Sequence, residues 1–122
     1  MTQMSETIME RDEELETIDV NDLEGRLVKI GRRGENDTQT VVIDAASMLT
    51  AVPGATLQVA AIRPGETEVY LPTVTVANGV ITWPILATDT EKAGNGYGEV
   101  RAVQGAKIKK SGVFRTVIYN GL

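Results

Sequence analysis

The sequence has neither cysteine nor histidine among its 122 residues. Without cysteine there is no disulfide framework and no thiolate ligand for a metal. Without histidine the chain lacks the commonest general base, the commonest zinc ligand and every Ser-His or Cys-His nucleophile pair. These absences exclude the familiar hydrolase and zinc-enzyme arrangements, so we expect no catalytic residues, no metal and no cofactor.

Aromatic residues and long apolar runs are also scarce. One Trp, one Phe and three Tyr are present, which leaves a core made mostly of Val, Ile, Leu and Ala. No apolar stretch approaches the roughly 20 residues of a membrane span. The N-terminus is acidic, unlike the basic and then apolar start of a signal peptide. We therefore expect synthesis in a cytoplasm and no membrane partner.

The formal net charge of −5 is unevenly distributed. Residues 1–24 carry nine acids against Arg11 alone, whereas residues 25–122 carry eleven bases and eight acids. An acidic arm over 1–24 on a mildly basic domain over 25–122 indicates that the arm contacts a neighbouring copy or another partner. A solvated leader is the alternative. The domain lacks a dense basic stripe interleaved with aromatics, so we do not expect nucleic-acid binding.

Within the arm, Met4, Ile8, Leu15 and Ile18 recur at heptad-compatible spacing. This spacing predicts a short amphipathic helix over residues 5–18. A helix of this length is marginal on its own, so we expect it to be ordered only against another surface.

Short runs of alternating apolar and polar residues fill the rest of the chain. Their spacing of 8–12 residues favours an all-β antiparallel sandwich over a βαβ fold. One or two single-turn helices are predicted, near residues 44–49 and 87–94. Pro72 places its strand at a sheet edge, and the lysines of 107–110 protect another edge. About eight strands are predicted, at 26–33, 38–43, 55–63, 68–76, 80–86, 98–104, 106–110 and 112–119.

Residues 80–100 organise this prediction. They contain a strand with the lone Trp83, a single helical turn capped by Asp89, a reversal at residues 95–96 and the start of a second strand. Such a segment is typical of two-sheet β folds, in which the chain crosses from one sheet to the other. The Asn-Gly pair at 78–79 is the strongest hairpin signal in the chain.

Two loop motifs have the residue types of a ligand-binding loop, one for a dinucleotide and one for Ca²⁺, but not the residue spacing that such loops require. The Gly-x-Gly-x-Gly pattern of residues 94–98 does not match a dinucleotide loop and does not open a long helix, so we interpret these glycines as turn residues. The Glu-Asn-Asp run of residues 35–37 has oxygens that suit Ca²⁺. It lacks EF-hand spacing and is also the composition of a simple turn.

Two further pairs allow a functional interpretation. Glu66 and Glu68 resemble a glycosidase acid pair, but alternate strand residues usually line a solvated face, and the required separation cannot be read from sequence. Trp83 with Tyr70 would form a sugar-stacking platform in a carbohydrate-binding module. The alternative is that Trp83 is the centre of the core. Arg63, before a Pro-Gly turn, is expected to anchor a turn carbonyl or form an ion pair.

The order of several short motifs resembles a known family. That family is the N-terminal domain of the baseplate upper protein in tail fibres of phages and prophages of Gram-positive bacteria. The resemblance covers nearly all of residues 26–119. The matching pieces are GRRGEN at 31–36, TVVID at 40–44, PGA at 53–55, RPGE at 63–66, VITW at 80–83, TDT at 88–90, AGNG at 93–96 and KKS at 109–111.

The resemblance implies an immunoglobulin-like β-sandwich with a structural, non-enzymatic role in the virion. Members of the family attach receptor-binding parts to the tail, usually in threefold sets. The implied partners are other copies of the chain and other virion proteins. Family members usually continue into a helical stalk and a distal domain, whereas this sequence stops at Leu122 and carries an acidic leader. A head-decoration or tail-completion protein therefore remains an alternative.

Overall fold

A computed structural model describes residues 16–121. Ten strands form two sheets, joined by turns, one 3₁₀ turn (Val20–Asp22) and one helix, α1 (Ala46–Ala51). The strands are β1 (Thr17–Asp19), β2 (Leu27–Arg32), β3 (Thr40–Asp44), β4 (Thr56–Ile62), β5 (Val69–Tyr70), β6 (Thr75–Ala77), β7 (Val80–Pro84), β8 (Gly94–Gln104), β9 (Lys107–Lys110) and β10 (Phe114–Tyr119).

The four-stranded sheet has the order β1-β3-β7-β6, and the six-stranded sheet has the order β2-β10-β8-β4-β5 with β9 also paired to β8. The predicted all-β sandwich is confirmed. The prediction of purely antiparallel pairing is wrong, because β1 pairs with β3 and β2 pairs with β10 in parallel. Parallel partners are not joined by a hairpin, so no turn signal marks them in the sequence.

The strand predicted over residues 68–76 is two strands in different sheets. Val69–Tyr70 is an edge strand of the six-stranded sheet, as Pro72 indicated, whereas Thr75–Ala77 belongs to the four-stranded sheet. The intervening residues cross between the sheets, and Pro72 is buried in that crossing. This division accounts for part of the difference between about eight predicted strands and ten observed ones.

The described part of the acidic segment contributes to the sandwich. Strand β1 pairs with β3 so that Ile18 lies opposite Ile43. Ile18, Val20 and Leu23 are all buried, and Leu23 is 0% exposed. The helix predicted over residues 5–18 lies mostly outside the described residues, and its last two positions are in the strand.

The core lies between the two sheets and consists mainly of the apolar side chains of the alternating runs. Trp83 is 1% exposed and is the largest fully buried side chain, so its prediction as the centre of the core is confirmed. On three further strands, alternate residues of the predicted runs are buried, as a sandwich requires. Their buried residues are Val28 and Ile30 on β2, Leu57, Val59 and Ala61 on β4, and Phe114, Thr116 and Ile118 on β10.

The local signals before β7 were accurate. The Asn-Gly turn joins β6 to β7, with Asn78 at φ 53° and Gly79 at φ 79°, as a two-residue hairpin of this type requires. Helix α1 buries Met48 and begins just after Asp44, whose Oδ1 accepts a hydrogen bond from the amide of Ala46 at 3.0 Å. Among residues 16–121, no helix has the length and apolar character needed to cross a membrane.

The segment after β7 crosses to the other sheet as predicted, but not by a helical turn. The amide of Asp89 donates to the Leu86 carbonyl and that of Thr90 donates to the Ala87 carbonyl, at 2.8 and 3.2 Å, which makes two overlapping turns. Residues 95–96 do not reverse the chain, because β8 already begins at Gly94.

The glycines of residues 94–98 are therefore strand residues, not turn residues. A Cβ on Gly98 would collide with the ring of Phe114, and one on Gly96 would collide with the Ile62 carbonyl and the Thr116 hydroxyl. Glycine is needed here because β8 lies directly against neighbouring groups of the sandwich.

Candidate functional site

The polar centre of the molecule is Asp89, which is 4% exposed at the crossover between the sheets. Its Oδ1 accepts a hydrogen bond from the Tyr70 hydroxyl at 2.8 Å. Its Oδ2 accepts from the Leu86 amide at 2.9 Å and from Trp83 Nε1 at 3.3 Å. A buried carboxylate is tolerated only when it is hydrogen-bonded. Here one donor comes from β5, one from β7 and one from the crossover itself. Asp89 therefore fixes the crossover to the core, which extends the predicted capping role.

Tyr70 is held at its hydroxyl by Asp89 and on one ring face by Arg63. Burial, followed by the hydrogen bond to Asp89, raises the pKa of the Tyr70 phenol well above its usual value, so the hydroxyl remains a donor at physiological pH. The guanidinium of Arg63 lies 3.7 Å from the centre of the Tyr70 ring, a cation–π distance. Arg63 Nε also donates to the Thr88 carbonyl at 2.8 Å, so the predicted turn-anchoring role is confirmed.

Salt bridges continue this cluster to the surface. Arg63 approaches Glu66 at 3.7 Å and Glu91 at 3.8 Å, and Lys92 Nζ lies 2.9 Å from Glu66. The hydrogen bond from Lys92 lowers the pKa of Glu66. Glu66 is therefore held ionised between two bases, a setting that does not favour the protonated state of a glycosidase general acid. Glu68 is exposed.

Residues 35–37 direct polar atoms at the crossover. Asn36 Oδ1 accepts from the Ala87 amide at 2.8 Å, and the Glu35 carbonyl accepts from the Thr90 hydroxyl at 2.8 Å. The Glu35 carboxylate turns back to accept from the Arg32 amide at 2.9 Å. The side-chain oxygens of Glu35 and Asn36 thus already accept hydrogen bonds from backbone amides.

Asp37 completes this brace through its backbone, whose amide donates to the Ile85 carbonyl at 2.6 Å with φ at 60°. Within residues 16–121, no three acidic side chains come together as a metal site would require. The run at 35–37 is a structural turn that holds the crossover.

Four of the sequence motifs meet at this crossover. Residues 31–36 brace it, residues 63–66 cover it, residues 80–83 supply its buried indole, and residues 88–90 form its turn. Sequence reasoning identified the motifs but not their convergence, because nothing in local spacing pairs Tyr70 with an aspartate 19 positions later.

The sugar-stacking alternative is contradicted. Trp83 is 1% exposed, and its ring nitrogen is committed to Asp89. Tyr70 carries the Arg63 guanidinium on its ring and donates its hydroxyl to the same aspartate. With the indole of Trp83 buried and one face of the Tyr70 ring occupied by Arg63, the two rings do not form an exposed stacking platform.

The outer face of the six-stranded sheet is different, because it leaves apolar side chains in solvent. Five residues lie directly opposite one another across β5, β4, β8, β10 and β2, and we call them the exposed row. They are Val69, Ile62, Tyr97, Arg115 and Leu27. Val69, Tyr97 and Leu27 are 48%, 49% and 45% exposed.

A depression of about 190 Å³ lies at one end of the exposed row. Its lining is apolar at Ile62, Val69, Tyr97 and Val113 and charged at Glu99, Arg101 and Lys110. An apolar cavity of about 150 Å³ holds a benzene molecule in other proteins. The depression is therefore large enough for one aliphatic side chain of a partner.

A second opening of about 660 Å³ lies between β1, β2 and β3. Ile18, Val41 and Leu27 line it, and the ion pair between Arg26 and Glu16, at 3.1 Å, lies at its rim. At another edge, β9 pairs only with β8, and all four of its residues are exposed, so the predicted lysine-rich edge is confirmed.

The fold is similar to that of the N-terminal domain of phage TP901-1 ORF48. The match has a TM-score of 0.52 and covers 84% of this chain and 94% of that one. Sequence identity is 11%, so the likeness is one of fold. No family model matches the sequence, and no curated protein is similar to it.

Proposed function

We propose that the chain is a non-enzymatic structural protein of a phage or prophage virion, which assembles through its β-sandwich. The fold likeness to the phage domain supports this function most strongly, since it extends over 94% of that domain. The sequence resemblance to baseplate upper proteins is a second reason, and several of its motifs lie at the crossover between the two sheets.

The chemistry of the described residues supports a structural role. The buried polar groups at the crossover are used in hydrogen bonds that hold the chain in place. Large apolar side chains remain exposed on one sheet face, as they do on surfaces that bind proteins. The partners we propose are other copies of the chain, in threefold sets, and neighbouring virion proteins.

Within the particle, we favour attachment at the baseplate or tail fibre. Head decoration and tail completion are the competing positions. Each position predicts a different location for the chain on an intact particle, so imaging distinguishes them.

The test is to purify particles from the phage or lysogen that encodes the chain and to look for it by quantitative mass spectrometry. We expect the chain to co-sediment with the particle at a fixed ratio to the major tail protein. Immunogold labelling then locates it on the tail tip, neck or head. Particles from a strain with the gene deleted are the control. Recovery of the chain only in the soluble lysate would contradict the proposal.

A further inference from the structure

We propose that the outer face of the six-stranded sheet binds the acidic N-terminal segment, residues 1–15, of a second copy of the chain. The inference rests on the proposed assembly function and names the two surfaces that meet. It concerns contacts between copies, so it is testable whether or not the protein is found in a virion.

The charge of the outer face favours an acidic partner. Strand register and alternation place five bases and one acid there, namely Lys29, Arg32, Arg101, Lys110, Arg115 and Glu99. Glu99 is shared by Arg101 and Lys110, at 2.6 and 3.8 Å. Among residues 16–121, Lys29, Arg32 and Arg115 have no carboxylate partner within 4.0 Å. The face therefore carries unneutralised positive charge beside its exposed apolar residues.

The composition of residues 1–15 matches this face. Residues 1–15 contain five acids and one base, with Met4, Ile8 and Leu15 as aliphatic anchors. This composition complements a basic face with an apolar depression, since complementary charge favours encounter and fixes register. Another copy's face is less suitable, because two such faces would bring bases against bases.

The length of the segment also allows this contact. Fifteen residues extend up to about 50 Å, whereas a domain of about 100 residues has a radius of gyration of about 13 Å. Glu16, the first described residue, is tied to Arg26 at the sandwich edge. A segment that starts there is long enough to reach the sheet of an adjacent copy.

The experiment uses full-length chains and exchanges charge between the two surfaces. The face variant is Lys29→Glu with Arg115→Glu. The segment variant is Glu10→Lys with Glu13→Lys and Glu14→Lys. Circular dichroism and thermal unfolding first establish that both variants fold. Sedimentation velocity at about 50 mM salt then measures self-association of the wild type, of each variant alone and of their equimolar mixture.

We expect the wild type to self-associate and each variant alone to associate at least about tenfold more weakly, because each then opposes like charges. Mixing the variants should restore association, since each supplies the surface that the other lacks. High salt should weaken all of these contacts. The matched control is Lys107→Glu with Lys109→Glu, which changes charge equally; Lys109 lies on the opposite side of β9 from Lys110. It should associate like the wild type.

Three outcomes would overturn the inference. One is a wild-type chain that stays monomeric at all concentrations, and another is a mixture that fails to regain association. The third is binding of a 20-nucleotide single strand by the wild type that the face variant loses, which would make the face a nucleic-acid surface. Detection of the chain in purified virions together with any of these results would refute this contact while leaving the proposed function intact.

Discussion

The crossover between the sheets and the outer face of the six-stranded sheet use polar residues in opposite ways. At the crossover, the Asp89 carboxylate binds three donors, and Arg63 covers the Tyr70 ring. On the outer face, Arg115 lies between the exposed side chains of Tyr97 and Leu27. The first arrangement fixes a shape, whereas the second leaves charge and apolar area available to a partner.

Residues at the crossover are needed for folding, whereas residues on the outer face are available for contacts with a partner. Buried hydrogen bonds are costly to break, because the orphaned partner loses both water and its bond. Exposed charges contribute little to folding, so they can be replaced without loss of structure. Substitutions at the crossover should therefore change the free energy of unfolding, and substitutions on the outer face should change association.

The largest effect is expected for Asp89→Ala. The substitution leaves the Tyr70 hydroxyl, the Trp83 ring nitrogen and the Leu86 amide without their acceptor. Each unsatisfied buried group costs about 1–3 kcal/mol, so we expect a loss of about 4 kcal/mol in urea unfolding. Glu91→Ala, at an exposed carboxylate near the same turn, is the control and should cost little. Equal stability of the two variants would remove Asp89 from its central role.

A smaller loss is expected for Gly98→Ala, because the new methyl group would enter the ring of Phe114. Overpacking of this kind typically costs about 2 kcal/mol. Combining it with Phe114→Leu should recover part of the loss, and a double-mutant cycle measures that coupling. Strictly additive losses would show that the close approach of β8 and β10 is not the reason for glycine.

Tyr70→Phe should cost about 1.5 kcal/mol near neutral pH, because hydrogen bonds to charged groups contribute about that much. The pH dependence of this loss tests the raised pKa of the Tyr70 phenol. The pKa of Tyr70 is raised on folding, so its contribution is fully present below the unfolded-state value of about 10 and is lost as pH rises above it. The difference in unfolding free energy between wild type and variant should therefore shrink above about pH 10. A difference that stays constant up to pH 11 would contradict the raised pKa of Tyr70, which arises first from burial and then from the hydrogen bond to Asp89.

The sequence predicted what depends on near neighbours and missed what depends on distant ones. Alternation identified the inward faces of three strands, and the Asn-Gly pair at 78–79 identified its hairpin. The parallel pairing of β1 with β3 and of β2 with β10 was missed, since no short connection records it. The glycines of β8 were read as turn residues because the groups they lie against, such as Phe114, are remote in sequence.

The same limit applies to the candidate site. Trp83 was correctly assigned to the core and Asp89 to the turn. Both assignments depend on neighbouring residues, since Asp89 accepts from Trp83 and Leu86, six and three positions earlier. The exposed row was not predicted, since it draws one residue from each of five strands. Only the register brings Val69 and Leu27 onto the same face.

The smallest effect on folding is expected on the outer face, and one substitution made at two positions measures the contrast. Val69→Ser changes a side chain that is 48% exposed, and Val59→Ser makes the same change at a position that is 1% exposed. Urea unfolding should show a loss of about 0.5 kcal/mol or less at Val69. At Val59 we expect about 3 kcal/mol, because a cavity and a buried hydroxyl are created together.

Val69→Ser should nevertheless weaken self-association, since Val69 lines the depression proposed to receive a partner's aliphatic side chain. If Val69→Ser instead unfolded the domain as readily as Val59→Ser, the outer face would belong to the folding core, and the distinction between the two regions would fail.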